Sequence, residues 1–238
     1  MSVFPQITLS PRLSLAYDLY DKCDLAADIG TDHAHLPAAL LQRGRCQHMI
    51  LTDVSPSALS KARSEMSRFR LTDRVDFRLG DGLRPLKESC GMISVTGMGG
   101  QTIRKILMSG SGNLGGASLI LSAHTDWHLI RSAIMDIGYH LDREEPCFDA
   151  GRYYLIIRAR PGTAKMSLQE IRLGSLLFCS ASPILRSFLL RRREILSVQL
   201  SGLKSAVHQN VALIGQLQDD IDFLDQKINR HQNQEDYL

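Results

Sequence analysis

No run in this chain approaches the roughly 18 consecutive apolar residues that a membrane-spanning helix needs. Met1 to Leu15 also lack a basic stretch followed by an apolar core, so the sequence predicts a protein that is neither anchored nor exported. The five cysteines, Cys23, Cys46, Cys90, Cys147 and Cys179, are odd in number, widely scattered and never spaced as Cys-x-x-Cys. Neither a disulfide framework nor a zinc site follows from them. They read as packing residues of a reducing, cytoplasmic compartment, with no metal expected. Charge of one sign is also missing: 28 Lys and Arg oppose 25 Asp and Glu, for a net +3. That balance permits a polyanionic partner without requiring one, because a phosphate backbone needs a localised basic face rather than a positive total. Internal repeats and low-complexity tracts are absent as well.

What is there is an ordinary folding composition, 44% hydrophobic and 22% charged over 238 residues, with a mean hydropathy of -0.09. Such a chain can bury one core of about 150 residues and carry something smaller beside it. From Cys23 to Pro161 short apolar runs alternate with helical patterns, the mark of an α/β sheet. Strands are expected at Leu25–Asp28, His48–Asp53, Val75–Leu79, Met92–Thr96, Ser118–Ser122, Tyr139–Arg143 and Tyr153–Arg160. Ser10-Pro11 and Ser55-Pro56 are helix starts with proline at the first helical position, and Leu36–Arg43 and Gln101–Met108 are two further helices. The first five strands, mostly joined by helices, should be parallel. The last two, separated by an acidic turn from Glu144 to Ala150, should form an antiparallel hairpin. The predicted fold class is α/β, a Rossmann-like seven-stranded class I methyltransferase sheet with a C-terminal all-helical domain.

Past Pro161-Gly162 no strand-like run occurs, which divides the chain into residues 1–161 and a helical segment, 162–238, broken once at Ser182-Pro183. Leu200, Leu203, Val207, Ile214, Leu217, Ile221, Leu224 and Ile228 alternate spacings of three and four, skipping Asn210, as a coiled-coil stripe does. A turn at Gly202 or at His208-Gln209-Asn210 would make it a hairpin within the chain; without one it is a dimer seam, and monomer or homodimer stays open.

The first strand-to-helix junction reads Asp28-Ile29-Gly30-Thr31-Asp32-His33, with Asp53 closing the next strand. A carboxylate at Asp53 offers paired acceptors for the ribose hydroxyls of an adenosyl ligand, and Gly30 lets a ligand approach the backbone. Dinucleotide sites want Gly-x-Gly-x-x-Gly, but Asp32 stands where the pyrophosphate would lie. A nicotinamide-dependent oxidoreductase is therefore disfavoured. The ligand indicated has no phosphate and carries a positive centre, which describes S-adenosylmethionine. Gly80-Asp81-Gly82 adds a carboxylate for the adenine amine, and Thr96-Gly97-Met98-Gly99-Gly100 opens the cleft floor. No Asn-Pro-Pro-aromatic motif follows the fourth strand, which favours a ring nitrogen over an exocyclic amine if a base is the target.

Leu9-Ser10-Pro11-Arg12-Leu13, Asp28-Ile29-Gly30-Thr31-Asp32-His33-Ala34-His35-Leu36-Pro37, Asp81-Gly82-Leu83 and Gly97-Met98-Gly99-Gly100 resemble the bacterial tRNA (adenine-22, N1)-methyltransferases. The resemblance implies a Rossmann-like domain joined to a coiled-coil domain, S-adenosylmethionine as cofactor and tRNA as substrate. Cofactor contacts are implied at Gly30, Asp32, Asp53, Asp81, Gly82 and Gly97, with Arg12 and His33 bordering the cleft beside Asp28. The chain departs from the family pattern in having His35 for tyrosine and Ala123-His124 for glutamine-proline.

N1 of adenine is already a nucleophile, so alignment and water exclusion suffice without a catalytic base. Asp32 is the candidate for stabilising the cation that develops, set against roles in capping the next helix or holding the cofactor's amino group. Arg186 and Arg191-Arg192-Arg193 form the densest basic cluster and the candidate tRNA contact, set against a solvated helical face. Trp127 and Tyr154 could form a base slot, set against core packing. The alternatives are a methyltransferase acting on a small molecule or protein and a non-catalytic scaffold that binds the same ligand.

Overall fold

The computed structural model describes residues 6–31, 33–206 and 210–235, the side chains of the last five excepted. Seven strands, β1 (Cys23–Ile29), β2 (Cys46–Asp53), β3 (Val75–Leu79), β4 (Met92–Thr96), β5 (Ser118–Ala123), β6 (Tyr139–Asp149) and β7 (Arg152–Pro161), form one sheet in the order β3-β2-β1-β4-β5-β7-β6. The first five are parallel and β7 runs antiparallel between β5 and β6. The central strands are continuous apolar runs because helices cover both faces. Ala27, Ile29, Ile93, Val95, Leu119, Leu121, Leu155 and Ile157 share one core with Ile103, Ile130 and Phe188, while Ala26, Met49, Leu51, Met92, Ile120 and Ile156 share the other with Ala16, Leu40 and Met66. Odd and even positions of each strand thus feed opposite faces.

α1 (Pro11–Asp18), α2 (His35–Gln42) and α3 (Pro56–Arg68) cover the second face, and α4 (Gly100–Gly110) and α5 (Trp127–Asp136) the first. Ser55 caps α3 by accepting the Ala58 N–H at 3.3 Å. α5 was not anticipated: its N-cap, Asp126, has φ +55 and makes no side-chain cap bond, so the usual start signal is missing.

The expected acidic turn is corrected. β6 continues through Glu144 to Asp149, and only Ala150-Gly151 turns, both at positive φ (+48 and +78), as a two-residue hairpin loop requires. Glu144 belongs in the strand because it is buried against an equally buried arginine: Arg131 Nε donates to its Oε1 at 2.6 Å, and the Leu177 N–H to its Oε2 at 3.2 Å.

Beyond β7 come α6 (Leu168–Leu173), α7 (Leu185–Lys204) and α8 (Val211–Glu235). Arg193 meets Asp225 and Lys204 meets Gln218, so α7 and α8 pair antiparallel within the chain. Gly202 lies inside α7, and His208-Gln209 of the other expected turn falls outside the described residues. Leu200, Leu217, Ile221, Leu224 and Ile228 of the predicted stripe are buried in that seam. Val207 falls outside the described residues. The N-terminal half of α7 packs on the sheet, with Phe188 against Trp127 at 5.1 Å between ring centres.

A candidate cofactor cleft at the carboxyl end of the sheet

β1 ends at Ile29 and the chain turns at Gly30, whose φ is +75 and whose N–H donates to the Thr52 carbonyl at 2.8 Å. A Cβ on Gly30 would lie 1.9 Å from Met98 Cε, so glycine is needed for both conformation and space. Two hollows meet here, over the carboxyl ends of parallel strands where such sheets bind ligands.

The first, about 280 Å³, is lined among others by Arg12, Asp28, Thr31, His33, Thr96 and Gly97. Proline at the start of α1 sets Arg12 in its first turn. The Arg12 guanidinium lies over the Tyr154 ring at 5.1 Å, and its Nε is 4.0 Å from Asp149. Its Nη1 is buried and has no hydrogen-bond partner among the described residues. That donor stands 3.9 Å from where a Cβ on Gly97 would be. A buried donor left unmade is costly, and Arg12 is one of the residues that line this hollow.

Asp28 is the buried floor of this hollow. Ser94 Oγ donates to its Oδ1 at 2.5 Å, and Tyr20 Oη in turn donates to Ser94 Oγ at 3.2 Å. Burial pushes the Asp28 carboxyl up to about 6, with the Ser94 hydrogen bond and the Arg12 charge opposing. His33 is exposed and stacks on His35 at 5.7 Å; His35 Nδ1 is 3.7 Å from Glu65. Asp32, the candidate for charge stabilisation, lies outside the described residues.

The second hollow, about 180 Å³, is lined among others by Asp53, Asp81, Gly82, Met98, Thr102 and Lys105. Asp53 Oδ1 accepts the Ser55 N–H at 2.8 Å, which fixes the carboxylate against the entrance to α3. Asp81 is exposed, 3.6 Å from Arg84. Gly82, at φ +57, offers its carbonyl to Thr52 Oγ1 at 3.3 Å. Eight of the predicted cofactor residues therefore surround one bipartite space. Met98, Thr102 and Lys105 line it as well; in the sequence Met98 stands out only as part of a glycine string, and the other two depend on the orientation of α4.

The four arginines do not join this cleft. On α7, Arg191 pairs with Glu194 at 2.5 Å and Arg193 with Asp225 at 3.1 Å, while Arg192 turns inward over Trp127 at 4.9 Å. Arg186 is half-buried one turn earlier. Among the described residues no group of three or more His, Cys, Asp or Glu could hold a metal ion, and no helix is long and apolar enough to cross a membrane.

Sheet order, edge hairpin and glycine-turn cleft together define a Rossmann-like class I methyltransferase. A family model for the methyltransferase domain matches residues 9–157, and the chain belongs to that family. It is similar to the tRNA (adenine(22)-N(1))-methyltransferase of Bacillus subtilis (strain 168), 27% identical over 172 residues that cover 71% of this chain and 72% of that one. Among solved structures it is similar to Sp1610 of Streptococcus pneumoniae, a candidate tRNA (m1A22) methyltransferase, at 27% identity and TM-score 0.83 over 93% of this chain and 100% of that one. The complex of Sp1610 with S-adenosyl-L-methionine matches at 26% identity and TM-score 0.81 over the same shares.

Proposed function

We propose that this protein transfers a methyl group from S-adenosylmethionine to N1 of adenine 22 in tRNA. The observation that carries the reading is the extent of the likeness: it runs over 93% of the chain, helical hairpin included, rather than stopping at the sheet. The donor set fits the cofactor. Arg12 Nη1 is a buried, unpartnered donor facing the hollow, suited to the amino-acid carboxylate. Asp53 and Asp81 line the other half, suited to ribose hydroxyls and the adenine amine. Gly30 and Gly97 add no side chain of their own between the halves, where the flexible Met98 tip lies against Gly30. Bound there, S-adenosylmethionine supplies a methyl group on a sulfonium centre.

The protein's part is then to bind, align and exclude water. The adenine N1 lone pair needs no base to activate it, so in-line placement provides most of the rate. Asp32, at the mouth of the same turn in sequence, is assigned to stabilise the positive charge that the purine acquires. Residues 1–161 carry this cleft as one domain. Residues 162–238 form a coiled-coil arm that holds the tRNA body, through Arg186, Arg191, Arg192 and Arg193 of α7. The protein works in the cytoplasm, where unmodified tRNA is found. Incubating the full chain with labelled S-adenosylmethionine and unmodified tRNA transcripts tests the reading: label should enter tRNA, and label found only in protein or small molecules would refute it.

A further inference from the structure

A second space of about 370 Å³ lies between α7 and the β6–β7 turn, a volume within the range of small-ligand sites, roughly 300–1,000 Å³. Trp127, Phe148, Tyr153 and Phe188 line it. Their rings form a series, Phe148–Tyr153 at 4.8 Å, Tyr153–Phe188 at 5.7 Å and Phe188–Trp127 at 5.1 Å. Phe188 and Trp127 are buried, but Phe148 is 47% exposed, an apolar ring presented at the rim with no core to fill.

Three arginines, Arg152, Arg191 and Arg192, also line it, and no carboxylate stands among the lining residues. Arg192 is the informative one. Its neighbours in the run pair with Glu194 and Asp225, whereas its guanidinium stacks on Trp127 and makes no ion pair among the described residues. Burial holds it below the ordinary arginine value, at about 10. The carboxylate that opposes this shift, Asp220, is itself held by two hydrogen bonds from Arg172, and aromatic faces beside Arg192 accept any nucleobase.

The space is separate from the cofactor cleft. Tyr153 and Tyr154 are successive strand residues and face opposite sides of the sheet, the first toward this space and the second toward Arg12. His124, edge-on to Tyr154 at 5.9 Å, completes the wall.

We propose that this space is a nucleotide subsite for the RNA, holding a nucleotide next to the methylated one, with its base against Phe148 and Tyr153 and its phosphate on Arg192. This rests on the tRNA reading above and adds a place where the strand is gripped.

Trp127 is the only tryptophan of the chain, so its emission reports on the subsite directly. Titrating the full protein with an unmodified tRNA transcript should quench that emission. Phe148→Ala, which changes an exposed ring, should weaken tRNA binding about tenfold and reduce the quench, with S-adenosylmethionine affinity unchanged in calorimetry. Arg192→Ala should lower the slope of log K against log salt by about one, and Arg192→Lys should restore it. Quenching without methyl transfer would strike the methylation reading and leave the subsite standing. Methylation of tRNA with no change in Trp127 emission, or undiminished binding by Phe148→Ala and Arg192→Ala, would overturn the subsite.

Discussion

Met98 Cε lies 1.9 Å from the point where a side chain on Gly30 would begin, so the floor of the cleft and the turn after β1 are fitted to each other. Gly30→Ala forces φ +75 on a residue with a Cβ and pushes the Met98 tip aside. The tip is flexible, so the cost to stability should be modest, about 1–2 kcal/mol. The cost to S-adenosylmethionine affinity should be larger, at least tenfold, because the added methyl stands where the two halves of the cleft meet. Calorimetry beside thermal unfolding separates the two; equal affinity in the variant would contradict this account of Gly30.

Arg12 tests the carboxylate assignment. Its Nη1 has no partner among the described residues, so Arg12→Ala removes a donor that only a ligand would satisfy. Hydrogen bonds to charged groups contribute about 1.5–3 kcal/mol, which predicts a loss of roughly tenfold to a hundredfold in S-adenosylmethionine affinity. The loss should be smaller for an analogue lacking the carboxylate. A loss of equal size for both would mean that Arg12 acts through packing on Tyr154.

Asp28 makes a pH prediction. Its ordinary value is 3.8 and its folded value about 6, so between these pH values the unfolded chain has released a proton that the folded chain keeps. Stability contributed by this group is present below about pH 4 and is lost as pH rises through 6, a deficit of about 3 kcal/mol at neutrality. Asp28→Asn keeps an acceptor for Ser94 and removes the titration. It should be more stable than the parent at pH 7.5 and match it near pH 3.5 in urea denaturation. An unchanged difference across that range would be contrary evidence.

Much of this was readable in the sequence, and the failures have causes. Strand cores stood out because buried parallel strands are continuous apolar runs, and α3 because Ser55-Pro56 announces it. The acidic stretch at Glu144 misled because its partner, Arg131, comes from α5, the helix that lacks a cap signal. The cleft was legible because its residues cluster at strand ends. Lys105 and the ring series around Trp127 were not, since both depend on how helices lie on the sheet. His124 lines the space beside Trp127 and meets Tyr154 edge-on, and His35 stacks on His33.

The same Arg131–Glu144 pair anchors the arm. Arg131 Nη1 donates to the Ile171 carbonyl at 3.1 Å, and Glu144 receives the Leu177 N–H, so one buried contact joins α5, β6 and the segment leading to α7. Removing one partner of such a pair costs about 3–5 kcal/mol. Glu144→Ala should lose that much in denaturant unfolding and open residues 162–184 to proteolysis; a loss below 1 kcal/mol would show that the arm is held elsewhere.

A methyl on N1 blocks the pairing edge of adenine, so reverse transcriptase should halt at position 22 of a tRNA transcript treated with the protein and S-adenosylmethionine. Replacing adenine 22 by guanine should abolish both the halt and the incorporation of label. Label that persists in the guanine-22 transcript, or a halt at another position, would contradict the account.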